Sequence, residues 1–368
     1  MVQPDLRKFV GLVRNKRAND RHLLHQQDDT SEQSNAMHRL IITGPRQAEF
    51  EAIPLPPYAP HDLLVRARVT AISTGTEIRV FRLIPVDDAG QFLHANVPFE
   101  VPTENGYSMV GDVIAVGADV TDFAVGDRVF VPATHRHVAA IAAPLAIKLP
   151  PTLKDEEAVF LSILEVAHLA LRRGNPTPGE TVAIIGLGVI GLSALAYCRA
   201  FGFRTIAIDT VDARLAIARQ MGADLVISPE APEFHQQVLA ATDGYGVDLV
   251  IEAASVWPAI QLGMEIAGKG GKIVVVARHT DKPAFSPIGD PYLQKDLTLL
   301  VTYGHPPAGQ RWERQRSFGL TMALLANGRL TIAPLITHRH SWRDLPNIYQ
   351  RLDQGERAIV GVVLDWRE

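Results

Sequence analysis

Cysteine is nearly absent from this chain, whose 368 residues include only Cys198. One cysteine excludes an intrachain disulfide and a zinc site made of several thiolates. It also makes a secreted, disulfide-stabilised scaffold untenable, and the N-terminal segment lacks the apolar core of a signal peptide. We therefore expect a cytoplasmic protein in which Cys198, inside an apolar stretch, packs as a small buried hydrophobic residue.

The chain also lacks an excess of positive charge. Its 36 basic and 40 acidic residues give a formal net charge of −4, so we expect no nucleic-acid partner. The longest uncharged run, residues 181–198, approaches the length of a membrane span, but its glycines fit a turn and no membrane partner is expected. The remaining composition is that of a globular protein, and the length favours two domains.

The first 36 residues are polar, mixed in charge and end in QQDDTSEQSNA. Such a segment cannot bury enough apolar surface to fold, so it predicts a flexible N-terminal extension. Strand-like sequence begins at residues 37–43, and the alternation of apolar and polar residues at 62–72 predicts a half-buried strand.

The most informative stretch is residues 181–209, which predicts a buried strand, a glycine turn, an apolar helix and a second strand ending in an acid. The turn has the spacing G-x-G-x-x-G, with the glycines Gly186, Gly188 and Gly191. The first permits a tight turn, the second a close approach to pyrophosphate, and the third tight packing of the helix on the sheet. The helix begins with Val189 and Ile190, and its N-terminus presents unpaired N–H groups to an anion. We predict a dinucleotide-binding site here.

The acid at the end of the second strand, Asp209, indicates which dinucleotide binds. Its carboxylate can accept hydrogen bonds from the adenosine ribose hydroxyls, but it would repel the 2′-phosphate of NADP. The first basic residue after it is Arg214, which could still turn inward. NAD is therefore favoured over NADP, with Asp209 and Arg214 at the site. Beyond Asp209, alternating strands and helices predict a parallel, doubly wound sheet.

Further motifs resemble the medium-chain dehydrogenase/reductase superfamily. The segment from Gly111 to Val129 matches G-x-V-x-x-V-G-x-x-V-x-x-F-x-x-G-D-R-V, and PGETVAIIGLGVIG and D-x-x-x-x-R-L-x-x-A-R-x-M-G-A follow in order. The resemblance covers about residues 38–368. It implies an α/β protein with a GroES-like β catalytic domain (37–165 and 309–368) and an inserted Rossmann domain (166–308). It also implies an active site in the cleft between them, a small-molecule substrate and a homodimer.

Zinc-binding members of that superfamily carry Cys-Gly-x-Asp-x-x-His, then Gly-His-Glu, then a third ligand. At those positions this sequence has Thr74, Tyr107 and, near the third, Ser162. Hydroxyls are poor zinc ligands, since Zn²⁺ prefers thiolate, imidazole and carboxylate, so we predict no zinc. The phrases AISTGTE and GYSMVG are similar to a zinc-free branch that includes bacteriochlorophyllide dehydrogenase-like proteins.

Without a metal, hydroxyl groups must handle the alcohol proton. The candidates are Tyr107, Thr74 and Thr76, on segments that the family places beneath the nicotinamide. Tyr107 is preferred as general acid or electrophile, because a phenol can donate to a carbonyl oxygen as that oxygen gains charge. The alternative is a tyrosine that packs into the space vacated by the metal. Thr76 aligns with the family's hydroxyl relay, and Glu77 is expected to order the loop.

Histidines supply two further candidates. His135 and His137 stand two residues apart, so on a strand they would share one face, where they could contact substrate, relay a proton or simply be solvated. Tyr303 and His305 end a predicted edge strand near the expected nicotinamide. Tyr303 is assigned to cofactor binding, and His305 to cofactor or substrate. The same edge strand is where family members pair into dimers.

Three functions fit these observations. The first is a zinc-independent, NAD-dependent transfer of hydride between nicotinamide and a secondary alcohol or ketone of a polyol, sugar, cyclitol or larger ring. The second is an enoyl or quinone reductase, although such relatives usually prefer NADPH, which Asp209 disfavours. The third is a non-catalytic nucleotide-binding protein, which the hydroxyl-rich TGT segment makes a weaker candidate.

Overall fold

The computed structural model of the protein describes residues 36–84, 101–276, 279, 282–302 and 309–367. The predicted extension of residues 1–36 lies outside these ranges except for its last residue. The described residues from Met37 onward form one compact unit, which contains three β-sheets. No helix in those ranges is long and apolar enough to cross a membrane.

Strands predominate before the dinucleotide motif, and strands and helices mostly alternate from the motif onward. Those before the dinucleotide motif are β1 (Met37–Gly44), β2 (Gln47–Ile53), β3 (Asp62–Ala71), α1 (Thr74–Arg82), β4 (Thr103–Glu104), β5 (Met109–Val116), β6 (Arg128–Val131), β7 (Val138–Ala142), β8 (Ile147–Lys148), α2 (Asp155–Ala158) and α3 (Leu161–Gly174). Those from the motif onward are β9 (Thr181–Ile185), α4 (Val189–Phe201), β10 (Arg204–Ile208), α5 (Asp212–Gln220), β11 (Leu225–Ile227), α6 (Phe234–Ala241), β12 (Val247–Glu252), α7 (Trp257–Ile266), β13 (Ala267–Val275), β14 (Thr298–Val301), α8 (Arg314–Ala326), β15 (Ile336–Ser341), α9 (Leu345–Asp353) and β16 (Gly361–Asp365).

One sheet is parallel throughout, with the strand order β11-β10-β9-β12-β13-β14. Counted from β9, this is 3-2-1-4-5-6, the order of a Rossmann sheet. Every residue of β9 is buried, as expected for a central strand of a sheet covered on both faces. The order reverses between β9 and β12, and the crevice beyond the strand ends at such a switch point binds ligands. The predicted doubly wound parallel sheet is confirmed.

A second sheet contains strands from both ends of the described chain. Six strands have the order β15-β16-β3-β5-β6-β8, and β7 pairs with β3. Strand β3 is more deeply buried than its alternating sequence suggests, because β5, β7 and β16 all pair with it. Together with the small sheet β2-β1-β4, these strands form the GroES-like part of the α/β fold, as expected. The exact domain boundaries stay a prediction.

Candidate functional site

The glycine turn lies between β9 and α4, at the switch point of the parallel sheet. Gly186 has a φ of +91°, and a Cβ there would lie 2.6 Å from the backbone nitrogen of Ala254. A Cβ on Gly191 would lie 1.8 Å from the Gly186 carbonyl oxygen, so only glycine fits either position. Gly188, the N-cap of α4, has open space in front of it, where another molecule's atoms can approach the backbone.

The first turn of α4 has no acidic side chain to occupy its unpaired N–H groups. Val189 is buried and Ile190 half-buried, so both side chains pack, and their N–H groups lie in the first turn of α4, where a helix supplies no partner for them. Backbone donors, the helix dipole and a cradle that a Cβ would fill together fit a pyrophosphate.

Asp209 follows β10 and is tied to the glycine turn. Its carboxylate accepts hydrogen bonds from the N–H of Leu187, at 2.6 Å, and the N–H of Val211, at 2.9 Å. Arg214 lies beside it, with Nη1 3.6 Å from the carboxylate, while its Nε donates to the carbonyl of Arg357. The structure thus brings both predicted ribose-side residues to the glycine turn.

Glu252 lies at the end of β12, at the same edge of the parallel sheet as the glycine turn and Asp209, and sequence reasoning missed it. Its buried carboxylate accepts from the N–H groups of Ala254 and Ser255, each at 2.8 Å, and lies 2.8 Å from Nε2 of His279. It therefore shapes the turn whose backbone abuts Gly186. The signal that could have found it is an acid ending an apolar strand, the same signal that identified Asp209.

On the GroES-like side, Tyr107 is half-buried and its hydroxyl donates to Oγ of Ser73 at 2.5 Å. Burial raises the pKa of this phenol to about 12, the charge of Glu77 adds to the rise, and hydrogen bonds with Ser73 and Thr76 oppose it. The hydroxyl is therefore protonated at neutral pH and acts as a donor. Thr74 and Thr76 lie half-buried in the first turn of α1, so the structure brings the predicted hydroxyl groups together.

The positions that the resemblance assigns to the zinc ligands hold hydroxyl groups. Thr74 begins α1, and Ser162 lies buried in the first turn of α3, where its hydroxyl has no hydrogen-bond partner among the described residues. Ser108, beside Tyr107, donates to the carbonyl of Val159. No group of three or more His, Cys, Asp or Glu side chains in the described ranges could hold a metal ion. The donor set does not fit zinc, and its absence stays a prediction.

The spacing of His135 and His137 predicted that they share one strand face. In the structure they do not share an accessible face. Residues 135–137 precede β7 and turn His135 inward, where it is fully buried. Its Nδ1 lies 2.7 Å from the Thr70 hydroxyl and its Nε2 2.9 Å from the Glu77 carboxylate, so both nitrogens have partners inside the protein. His137 instead packs against Trp342 and Trp366, and burial lowers its pKa. His135 therefore cannot contact substrate, and it stabilises the site through its hydrogen bonds with Thr70 and Glu77.

Tyr303 and His305 lie outside the described residues, so their predicted contacts with the cofactor stay predictions. The strand that leads toward them, β14, is present at the edge of the parallel sheet.

Comparisons with known proteins agree with this architecture. The family model described as alcohol dehydrogenase GroES-like domain matches residues 59–143, and the one described as zinc-binding dehydrogenase matches residues 189–313. The second match does not include Thr74, Tyr107 or Ser162.

The chain is also similar to individual dehydrogenases over most of its length. The L-threonine 3-dehydrogenase of Burkholderia cenocepacia (strain HI2424) is 30% identical over 341 residues, covering 83% of this chain and 92% of the relative. The D-guloside 3-dehydrogenase of Escherichia coli (strain K12) is 28% identical over 338 residues, covering 86% and 97%. The crystal structure of 2R,3R-butanediol dehydrogenase from Bacillus subtilis superposes with a TM-score of 0.76 at 20% identity, covering 90% and 99%.

Proposed function

The chain belongs to the medium-chain dehydrogenase/reductase superfamily, as an alcohol dehydrogenase-like oxidoreductase, and from this premise we propose that it transfers hydride between NAD and a secondary alcohol or ketone without zinc. One observation carries the proposal: the family's metal-ligand positions hold hydroxyl groups, and one of them, Tyr107, is a protonated phenol bonded to Ser73. A donor of this kind can stabilise charge on the reacting oxygen in place of a metal.

Each part of the site has a task in this proposal. The nicotinamide cofactor supplies hydride chemistry when bound. The N-terminus of α4 binds its pyrophosphate, and Asp209 accepts hydrogen bonds from the adenosine ribose. When substrate binds, the single O–H of Tyr107 turns from Ser73 to the substrate oxygen, and Thr76, which also hydrogen-bonds to Tyr107, lies beside it to exchange a proton. With a pKa of about 12, Tyr107 is a donor rather than a base at neutral pH.

For the substrate, we propose a hydroxyl on a polyol, sugar, cyclitol or larger ring. The names of two relatives, L-threonine 3-dehydrogenase and D-guloside 3-dehydrogenase, both denote oxidation at carbon 3, which in each compound is a secondary alcohol. The test is a screen of cofactor reduction over polyols, sugars and secondary alcohols, with NAD and NADP. Turnover only of enoyl or quinone substrates with NADPH would favour the reductase alternative, and binding of cofactor with no turnover would favour a non-catalytic protein.

The metal prediction has its own test. Purified protein is expected to contain no stoichiometric zinc and to keep full activity in chelator, because the hydroxyls of Thr74, Tyr107 and Ser162 cannot hold Zn²⁺ tightly. Metal analysis of the untreated protein and assays before and after dialysis against chelator measure this. A content of about one zinc per chain, lost together with activity and restored by added zinc, would show the proposal wrong on this point.

We also propose a homodimer that pairs through β14. This edge strand presents apolar side chains to solvent, with Leu299 47% and Val301 68% exposed. An uncovered apolar edge strand favours pairing with another strand. Val301→Lys is therefore expected to convert dimer to monomer in sedimentation analysis, while Val125→Lys, at a similarly exposed valine elsewhere, keeps the dimer. A wild-type monomer, or a Val301→Lys dimer, would contradict the assignment.

A further inference from the structure

Behind Tyr107 lies a cluster of buried polar side chains drawn from five separate parts of the chain. Its members, which we call the Glu77 network, are Thr70, Glu77, His135, Tyr349 and Trp366, all buried. Burying a carboxylate is costly unless donors surround it, so the arrangement needs a complete set of hydrogen bonds.

The hydrogen bonds of the Glu77 network can be assigned one proton at a time. Trp366 has only a donor, and its Nε1–H bonds to the Thr70 hydroxyl oxygen at 2.9 Å. Thr70 in turn can donate to Nδ1 of His135 at 2.7 Å, which leaves the proton of the neutral imidazole on Nε2, 2.9 Å from the Glu77 carboxylate. Tyr349 donates to the same carboxylate oxygen at 2.5 Å. With this assignment every group is satisfied and the Glu77 carboxylate oxygens act only as acceptors.

The other oxygen of the Glu77 carboxylate accepts from the backbone N–H of Ser73, at 2.7 Å. Ser73 is the residue whose hydroxyl accepts from Tyr107, so one residue separates the buried charge from the phenol. The charge also acts on the phenol through space, where it favours the protonated hydroxyl.

The segment that carries Tyr107 is attached to the same network. The side chain of Asn105 donates through Nδ2 to the Glu77 backbone carbonyl at 3.1 Å. The backbone carbonyl of Asn105 accepts from the His135 backbone N–H at 3.0 Å. At Gly106, with φ +93°, a Cβ would lie 2.5 Å from Cδ2 of His135, so the backbone packs directly on the imidazole. Both sides of the Tyr107–Ser73 bond therefore rest on Glu77 and His135.

Resting on the proposed function, we propose that Glu77 is a positioning residue of the reaction: it holds Ser73 and residues 105–107 so that the Tyr107 hydroxyl meets the substrate oxygen. It acts through Tyr107 and does not itself touch substrate, because it is 1% exposed. If the Glu77 network only stabilised the fold, replacing Glu77 would lower the stability of the protein, and any loss of kcat would not depend on Tyr107.

A double-mutant cycle separates these cases. Glu77→Gln keeps the side-chain volume and removes the charge, and we expect kcat to fall about 10- to 100-fold with KM within about threefold, as for a misplaced catalytic group. In the Tyr107→Phe background the same change should alter kcat by less than about threefold, because the group that it positions is already gone. Equal losses in both backgrounds, or no loss in the wild type, would overturn the proposal.

Controls keep the result distinct from unfolding and from failure of the proposed function. NAD affinity by fluorescence titration and thermal unfolding are measured for every variant, and Tyr197→Phe, which removes a buried hydroxyl bonded to Thr321, reports whether lost stability alone lowers kcat. If Glu77→Gln does not fold, Tyr349→Phe, which removes one donor to the Glu77 carboxylate, takes its place in the cycle, and additive losses with Tyr107→Phe would contradict the positioning role. Full activity of Tyr107→Phe alone would instead reject the proposed role of Tyr107.

Discussion

Tyr107→Phe is expected to lower kcat by about 10²–10³, the usual cost of losing one preorganised donor to a developing oxyanion. Hydride transfer to a carbonyl builds negative charge on its oxygen, and zinc commonly stabilises such charge. In the proposed reaction the hydroxyl groups of Thr74, Tyr107 and Thr76 do so, and Tyr107 is the phenol among them. Because burial and Glu77 raise its pKa to about 12, the donor stays protonated across the neutral range.

The measurement is steady-state kinetics beside NAD affinity and thermal unfolding. KM should change little, since an interaction made only in the transition state lowers kcat alone. Phenylalanine keeps the ring, so stability should fall by only about 1–3 kcal/mol, because the buried Ser73 hydroxyl loses its partner. Tyr245→Phe, at an 84% exposed tyrosine, is the matched control and should behave as wild type. If Tyr107→Phe turns over within about threefold of wild type, or ~0.65 kcal/mol, Tyr107 only packs and the donor lies elsewhere.

Replacing Asp209 is expected to produce the second-largest effect, on the choice between NAD and NADP. A charge-assisted hydrogen bond is worth on the order of 1.5–3 kcal/mol, or roughly 10- to 150-fold in kcat/KM. Wild type should prefer NAD, and Asp209→Ala or Asp209→Ser should lose that much of the preference, mainly through KM for NAD.

The contacts of Asp209 with the turn determine how this experiment is interpreted. Its carboxylate also holds the N–H groups of Leu187 and Val211, so Asp209→Ala loosens the glycine turn for both cofactors. A loss of kcat/KM that is equal for NAD and NADP indicates that the glycine turn has loosened. A change in the ratio of the two kcat/KM values indicates that the ribose contact is lost. Asp209→Asn retains one oxygen acceptor, so the loss of kcat/KM that NAD and NADP share should be smaller than in Asp209→Ala. Arg214→Ala is the companion variant, because Arg214 lies 3.6 Å from the carboxylate. A wild-type protein that uses NADP better than NAD would contradict the assignment.

The dinucleotide half was predictable because its constraints are local. Gly186 has a φ of +91° and a Cβ on Gly191 would meet the Gly186 carbonyl, so the backbone of a single turn requires both glycines. The alternation of buried strands with helices has a period that can be counted along the chain. Sequence alone therefore determined the parallel sheet, the glycine turn and the placing of Asp209 beside it. The ordered motifs of the superfamily supplied the GroES-like half, whose strands come from both ends of the chain.

The Glu77 network could be found only in the tertiary structure. Glu77 is 58 residues from His135 and 272 from Tyr349 in sequence, and Thr70 is 296 from Trp366. A hydrogen bond depends on where two side chains end in space, and no period or spacing along the chain records a partner so distant. For the same reason Glu77 resembled a loop residue and His135 a strand residue facing solvent. The sequence determined which groups could do chemistry, and the packing of α1, α9 and the segment before β7 decided which of them face the site and which support it from behind.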